Sequence, residues 1–210
     1  MMTDLSPRQR RRQRTESAIL DAAREIINEE GTDALSMRAI AQRIDYSAAG
    51  LYEYYAGKEE IIRAVCKQGH ARLTATMQRA DPALPPADYL LEIGLAYVDF
   101  AVRNPDFFVL MFANPEIGIP PGMQREDALH EMTDERSSFG VLLRAIQRGI
   151  DEGVFITRPG YDTLDMAYAA WSMVHGMAML RIGNLRDFPM DFTVVERESL
   201  RRLGLALQQP

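Results

Sequence analysis

Five arginines, Arg8, Arg10, Arg11, Arg12 and Arg14, stand in the first fifteen residues against one acid, Asp4. Guanidinium groups neutralise phosphates, so this stretch reads either as an arm able to lie along a nucleic-acid backbone or as a solvated tail. Further along, Ser47, Ala48, Ala49 and Gly50 place small side chains in succession. The major groove of DNA admits one helix, and small or polar outward residues let its backbone approach base edges. Small residues also open helices for plain packing reasons. Catalytic chemistry is poorly supplied: no glycine-rich phosphate loop, nucleophile elbow or paired histidine and carboxylate motif occurs, so neither an enzyme nor a cofactor is expected. Cys66 and His70 share a helix face, but His130 and His175 form no second cluster at ligand spacing, so no metal site is expected.

A second group of residues suits apolar recognition. Tyr97, Phe100, Phe107, Phe108, Met111, Phe112, Tyr168, Trp171, Met173, Met177 and Met179 crowd the C-terminal two-thirds. Each fits a helical core, and as a set they permit an adaptable apolar cavity. His175 is the polar side chain among them that could orient a ligand, or be satisfied within the core.

Helices must position these groups. Apolar Ile19, Ala23, Ile26 and Ile27 recur at helical spacing over residues 15–30, and Gly31 follows. Ser6-Pro7-Arg8-Gln9 carries capping-box and first-turn signals, which would make the arm helical when bound. Ser36 can cap a helix whose inner face is Met37, Ile40, Ala41 and Ile44, with Arg38, Gln42 and Arg43 outside. After Asp45 and Tyr46 break the pattern, Ser47 can cap a third helix over residues 48–54, with Leu51 and Tyr55 turned inward. A fourth is predicted over residues 58–79 and is stopped by the prolines of residues 81–86. Further helices are predicted over 87–103, 106–113, 125–152, 162–182 and 193–207, the last opened by a Thr193 to Glu196 capping box. No strand signal appears. The fold class is all-α: a three-helix, helix-turn-helix head in residues 1–57 and a larger helical body in residues 58–210.

Apolar residues at 47% and charged residues at 26% mark an ordinary globular chain. The longest apolar runs fall well short of the ~20 residues of a membrane span, and no apolar segment follows the basic N-terminus. One cysteine, Cys66, allows no internal disulfide. A cytoplasmic protein with no membrane partner is expected. The net charge of −6 argues against nucleic acid until it is divided: residues 1–67 hold 11 Lys plus Arg and 11 Asp plus Glu, whereas residues 68–210 hold 13 and 19.

The order of these features resembles the head of the TetR (tetracycline-repressor) family: Ile40-Ala41, a turn ending in Ser47, then Leu51-Tyr52, Tyr54-Tyr55 and Lys58. Trp171 with His175-Gly176, behind residues 97–112, resembles a C-terminal Trp-x-x-x-His-Gly subgroup of the same family. The resemblance implies that Ser36, Arg38, Tyr52, Tyr54 and Lys58 touch phosphates while Ser47, Ala48, Ala49, Gly50 and Glu53 face bases. It departs at Asp45, where the family turn has Gly, and at Ala49, where it has Gly or Pro. Asp tolerates the left-handed conformation, so the turn survives. The resemblance also implies a body that binds a small effector, here through Tyr97, Phe100, Phe108, Met111, Phe112, Trp171 and His175, and that pairs two copies through its last two helices. The partners implied are palindromic double-stranded DNA, a small, largely apolar molecule and a second copy of the chain, and repression is the implied mode. An all-helical apolar-ligand carrier or enzyme, or a dimeric protein-interaction module, fits the same composition, and salt-dependent retention on DNA separates these classes.

Overall fold

A computed structural model describes residues 6–113, 122–134 and 136–208. Among them the chain is helical: ten α-helices, one short 3-10 turn at Thr32–Ala34 and an isolated bridge between Arg158 and Tyr161, with no strand. The chain divides into two units, Met1–Gly69 with Asp106–Gly118, and His70–Pro105 with Ile119–Pro210. None of the described helices is long and apolar enough to cross a membrane.

In the first unit, α1 (Pro7–Glu30) starts two turns before the predicted helix. Ser6 Oγ accepts from the Gln9 amide, Gln9 Oε1 accepts from the Ser6 amide, and Pro7 occupies a position whose amide has no helical partner, so the basic arm is the first part of α1. Ile19, Ala22, Ala23, Ile26 and Ile27 bury one stripe, and Gly31 ends the helix at φ +84°. Ser36 caps α2 (Met37–Arg43) and Ser47 caps α3 (Ala48–Leu51). The turn between them places Asp45 at φ +52°, the one non-glycine with positive φ among the described residues. Helix α3 is a single turn; Tyr52, Glu53 and Tyr54 continue it as a looser turn rather than as helix, closed by the Tyr55 amide on Leu51 O at 3.0 Å. Arg43 reaches back from α2 to the end of α1, 2.7 Å from Glu29 and 3.2 Å from Glu30. Helix α4 (Lys58–Met77) contacts α6 (Pro105–Ala113) where Gly69 lacks a side chain: a β-carbon there would lie 2.6 Å from Met111 Sδ and 2.7 Å from Phe107 Cζ. Cys66, fully buried, donates weakly to Leu110 O at 3.7 Å.

In the second unit, α5 (Pro86–Arg103) packs against α8 (Ser138–Asp151), α9 (Thr163–Ile182) and α10 (Phe192–Ala206), and α7 (Arg125–Thr133) packs on α8. One long helix over residues 125–152 is not observed. Asp134 Oδ1 accepts from the Arg136 amide and Ser137 Oγ from the Gly140 amide, so two local acceptors break the run into α7 and α8. The capping box at Thr193 is not formed either. Asp191 caps α10 through the Thr193 amide at 2.9 Å, and Glu196, 8% exposed, pairs with Arg181 of α9 at 2.8 Å. The other end of α9 carries a capping box, between Asp162 and Asp165.

Candidate nucleic-acid interface and effector site

The predicted DNA-facing residues lie on α2 and α3, at their caps, in the turn after α3 and at the start of α4. Ser36 Oγ accepts from the Ala39 amide at 3.1 Å and Ser47 Oγ from the Gly50 amide at 3.0 Å, so each hydroxyl serves as a cap and retains its proton for donation outward. Arg38, Ser47, Ala49, Tyr52 and Glu53 are exposed, Tyr52 at 58%; Ala48, Gly50, Tyr54 and Lys58 are half-buried. Arg38 and Lys58 form no ion pair among the described residues. Lys58 opens α4, where Glu60 accepts the Ala56 amide at 2.6 Å. That amide is thus already occupied, while the Lys58 ammonium stands at the start of the helix.

Gly50 has a packing role that its smallness alone does not reveal. A β-carbon on it would sit 2.6 Å from Tyr46 Cε1 and 2.9 Å from Ser47 Oγ, so the Tyr46 ring occupies the missing side chain's place. Tyr46 meets Tyr54 edge-on at 6.4 Å. Its hydroxyl is held above the ordinary phenol value chiefly by the hydrogen bond with Tyr54, with the Arg11 charge acting the other way. The Arg12 guanidinium covers the Tyr54 ring at 5.2 Å and pairs with Glu16 at 2.9 Å. Tyr46, Arg11 and Arg12 therefore belong to this face. No sequence signal identifies the first of them, because Tyr46 lies in the turn before α3 and its partner is the missing side chain of Gly50.

The aromatic set is divided between the units. Phe108 and Met111, both buried, and Phe112, half-buried against Phe108 at 4.7 Å, belong to the first unit. Tyr97, Phe100, Trp171 and His175 belong to the second. There the Trp171 indole N–H donates to Tyr97 Oη at 3.2 Å, and Tyr97 Oη lies 3.0 Å from His175 Nδ1. The indole can only donate, so Tyr97 Oη accepts from it, and the direction of the Tyr97–His175 hydrogen bond follows the tautomer of the imidazole. Burial pushes the Tyr97 phenol above its ordinary value, against the Trp171 hydrogen bond, and holds His175 below the ordinary imidazole value. Tyr97 and Trp171 border an apolar cavity of about 20 Å³ with Leu90, Leu142, Val174 and Leu200. That is room for about one water.

Residues 19–65 match the family model described as bacterial regulatory proteins, tetR family, and residues 90–203 match the tetracyclin repressor-like C-terminal domain. Among curated proteins, the HTH-type transcriptional regulator UidR of Escherichia coli is 33% identical over 93 residues, covering 43% of this chain and 47% of UidR. The uncharacterized HTH-type transcriptional regulator YobS of Bacillus subtilis is 29% identical over 94 residues, covering 45% and 49%. The chain thus spans about half the length of these curated relatives. Among solved structures, a protein of unknown function from Rhodococcus sp. RHA1 superposes with a TM-score of 0.75 at 24% identity, covering 92% of this chain and 95% of that one. The TetR family regulator PfmR of Thermus thermophilus does so with a TM-score of 0.61 at 25% identity, covering 90% and 96%. With a capped helix-turn-helix at one end and family models matching both halves, the chain belongs to the TetR family of bacterial regulatory proteins.

Proposed function

We propose that this chain is a cytoplasmic, dimeric DNA-binding transcriptional regulator, a repressor that a small, largely apolar effector releases from a palindromic operator. The observation that carries the reading is the pair α2 and α3, held by Ser36, Ser47 and the Asp45 turn, with exposed Arg38 and Tyr52 and half-buried Lys58 alongside the small Ala48 and Ala49. Ser36, Arg38, Tyr52, Tyr54 and Lys58 hold phosphates and fix register; residues 47–50 and Glu53 face base edges. With so few long side chains at the front, readout leans on thymine methyl contact, backbone approach and DNA shape.

The body, residues 58–210 in this reading, holds the effector in the second unit beside Tyr97, Trp171 and His175 of the Trp-x-x-x-His-Gly motif. The cavity there is far below the ~300 Å³ or more of small-molecule sites, so an effector must part α5 from α8, α9 and α10 to enter. A molecule that binds only the parted form shifts the population toward it. Exposed Tyr168, Leu180, Phe188, Val194 and Val195, on and between α9 and α10, supply apolar area for a two-fold dimer.

Salt-titrated binding tests the reading. The wild-type chain should bind duplex DNA with an affinity that falls steeply with salt, and Lys58→Ala should weaken operator and non-operator DNA alike while reducing the slope of log K against log salt by ~1. An unchanged slope removes Lys58 from the interface, and absence of any salt-dependent binding by the wild type overturns the function.

A further inference from the structure

The first two turns of α1 pack into no core. Residues 7–14 are all exposed, and burial along α1 begins only at Ile19. Those turns are nonetheless fully built as helix, by the Ser6–Gln9 capping box, Pro7 and the Arg12–Glu16 pair one turn on. At 1.5 Å per residue they project α1 about 12 Å past its packed part.

Their side chains follow one stripe. Positions 8, 11 and 12 continue the row that leads through Thr15 and Glu16 to buried Ile19, because residues three and four apart share a helix face. Two interactions show where that row lies. Arg12 covers the Tyr54 ring at 5.2 Å, and the Arg11 charge bears on the hydroxyl of Tyr46, whose ring fills the space beside Gly50 of α3. The stripe therefore borders the face that carries α3. Arg8 and Arg11 make no ion pair among the described residues. Arg43, elsewhere in the head, is by contrast answered by Glu29 and Glu30.

We infer that the projecting turns of α1 are a second DNA-binding element, in which Arg8, Arg11 and Arg12 neutralise phosphates flanking the bases that α3 faces. The inference rests on the DNA-binding reading above and adds to it an attachment made without regard to sequence. Arg12, clamped between the Tyr54 ring and Glu16, sets the direction of the row. Arg8 and Arg11 supply charge that offsets repulsion between the duplex and the acidic remainder of the chain.

Two variants test it in the full chain: Arg8→Gln/Arg11→Gln, which leaves Arg12 on the Tyr54 ring, and the triple variant that adds Arg12→Gln. Glutamine keeps helix propensity. Binding is read by fluorescence anisotropy across a salt series, on a selected operator duplex with long flanks and on one trimmed to the protected bases. On the long duplex, the double variant should bind roughly ten-fold more weakly, the triple more weakly still, and the salt slope should fall by ~0.9 for each phosphate no longer neutralised. On the trimmed duplex, wild type and variants should converge. Equal affinity and slope on both duplexes, with helical circular dichroism retained, overturns the inference while leaving the DNA-binding reading standing. A weakening confined to anionic lipid vesicles, with DNA binding unchanged, overturns it in favour of a membrane surface. Failure of the wild type to bind either duplex overturns both.

Discussion

At Gly50 a hydrogen atom stands where any other residue would have a β-carbon, and the Tyr46 ring uses the space. Gly50→Ala must push that ring aside, breaking its edge contact with Tyr54 at the margin of the α3 turn. The expected cost is about 1 kcal/mol of stability, read by denaturant melts, with a change in the near-ultraviolet tyrosine signal and weaker operator binding. An unchanged tyrosine signal and unchanged binding would remove the ring from the site. Single residues with purely local partners are legible in the sequence: Ser6, Ser36 and Ser47 cap the helices that their side chains predict, and Asp45 takes the left-handed turn. Thr193 misleads because its candidate partner Glu196 is taken by Arg181, a residue of another helix, while Asp191 caps instead. Tyr46 is hard to read for a related reason: its partner is an absence, the missing side chain of Gly50.

Between elements, the chain Trp171 to Tyr97 to His175 ties α9 to α5 with one shared hydroxyl. Tyr97→Phe removes the acceptor of the indole N–H and the hydroxyl partner of Nδ1 together, and should cost about 1 to 3 kcal/mol in thermal or chemical unfolding. The same link gives a pH dependence of definite sign. Burial holds His175 below the ordinary imidazole value of 6.5, so on acidification the unfolded chain takes up this proton first. The stability is fully present above that value and is lost as pH falls below it through the lower value of the folded state. The melting temperature of the wild type should therefore drop more steeply below about pH 6.5 than that of His175→Gln, and parallel curves would contradict the burial of a neutral imidazole. Hydrophobic periodicity makes the helices themselves legible, since each buries one stripe. It does not separate α7 from α8, where Asp134 and Ser137 compete locally for backbone amides, nor shorten α3 to one turn. Periodicity also treats all apolar residues alike. Phe108 and Met111 read in the sequence like Tyr97 and Trp171, though the first two belong to the first unit and the other two to the second.

For the whole molecule, charge decides more than composition. A net of −6 hides a neutral first third whose arginines gather at one end of α1, and an acidic remainder that a duplex repels. In a two-fold dimer, two such heads would meet DNA about one helical turn, roughly 34 to 36 Å, apart, which requires an operator with matching two-fold symmetry. Selection of genomic fragments by the purified chain, followed by footprinting, tests this most directly. The enriched fragments should share a palindrome whose half-sites lie about one turn apart and are protected alike, whereas repeated selections that yield no shared palindromic site would contradict the account.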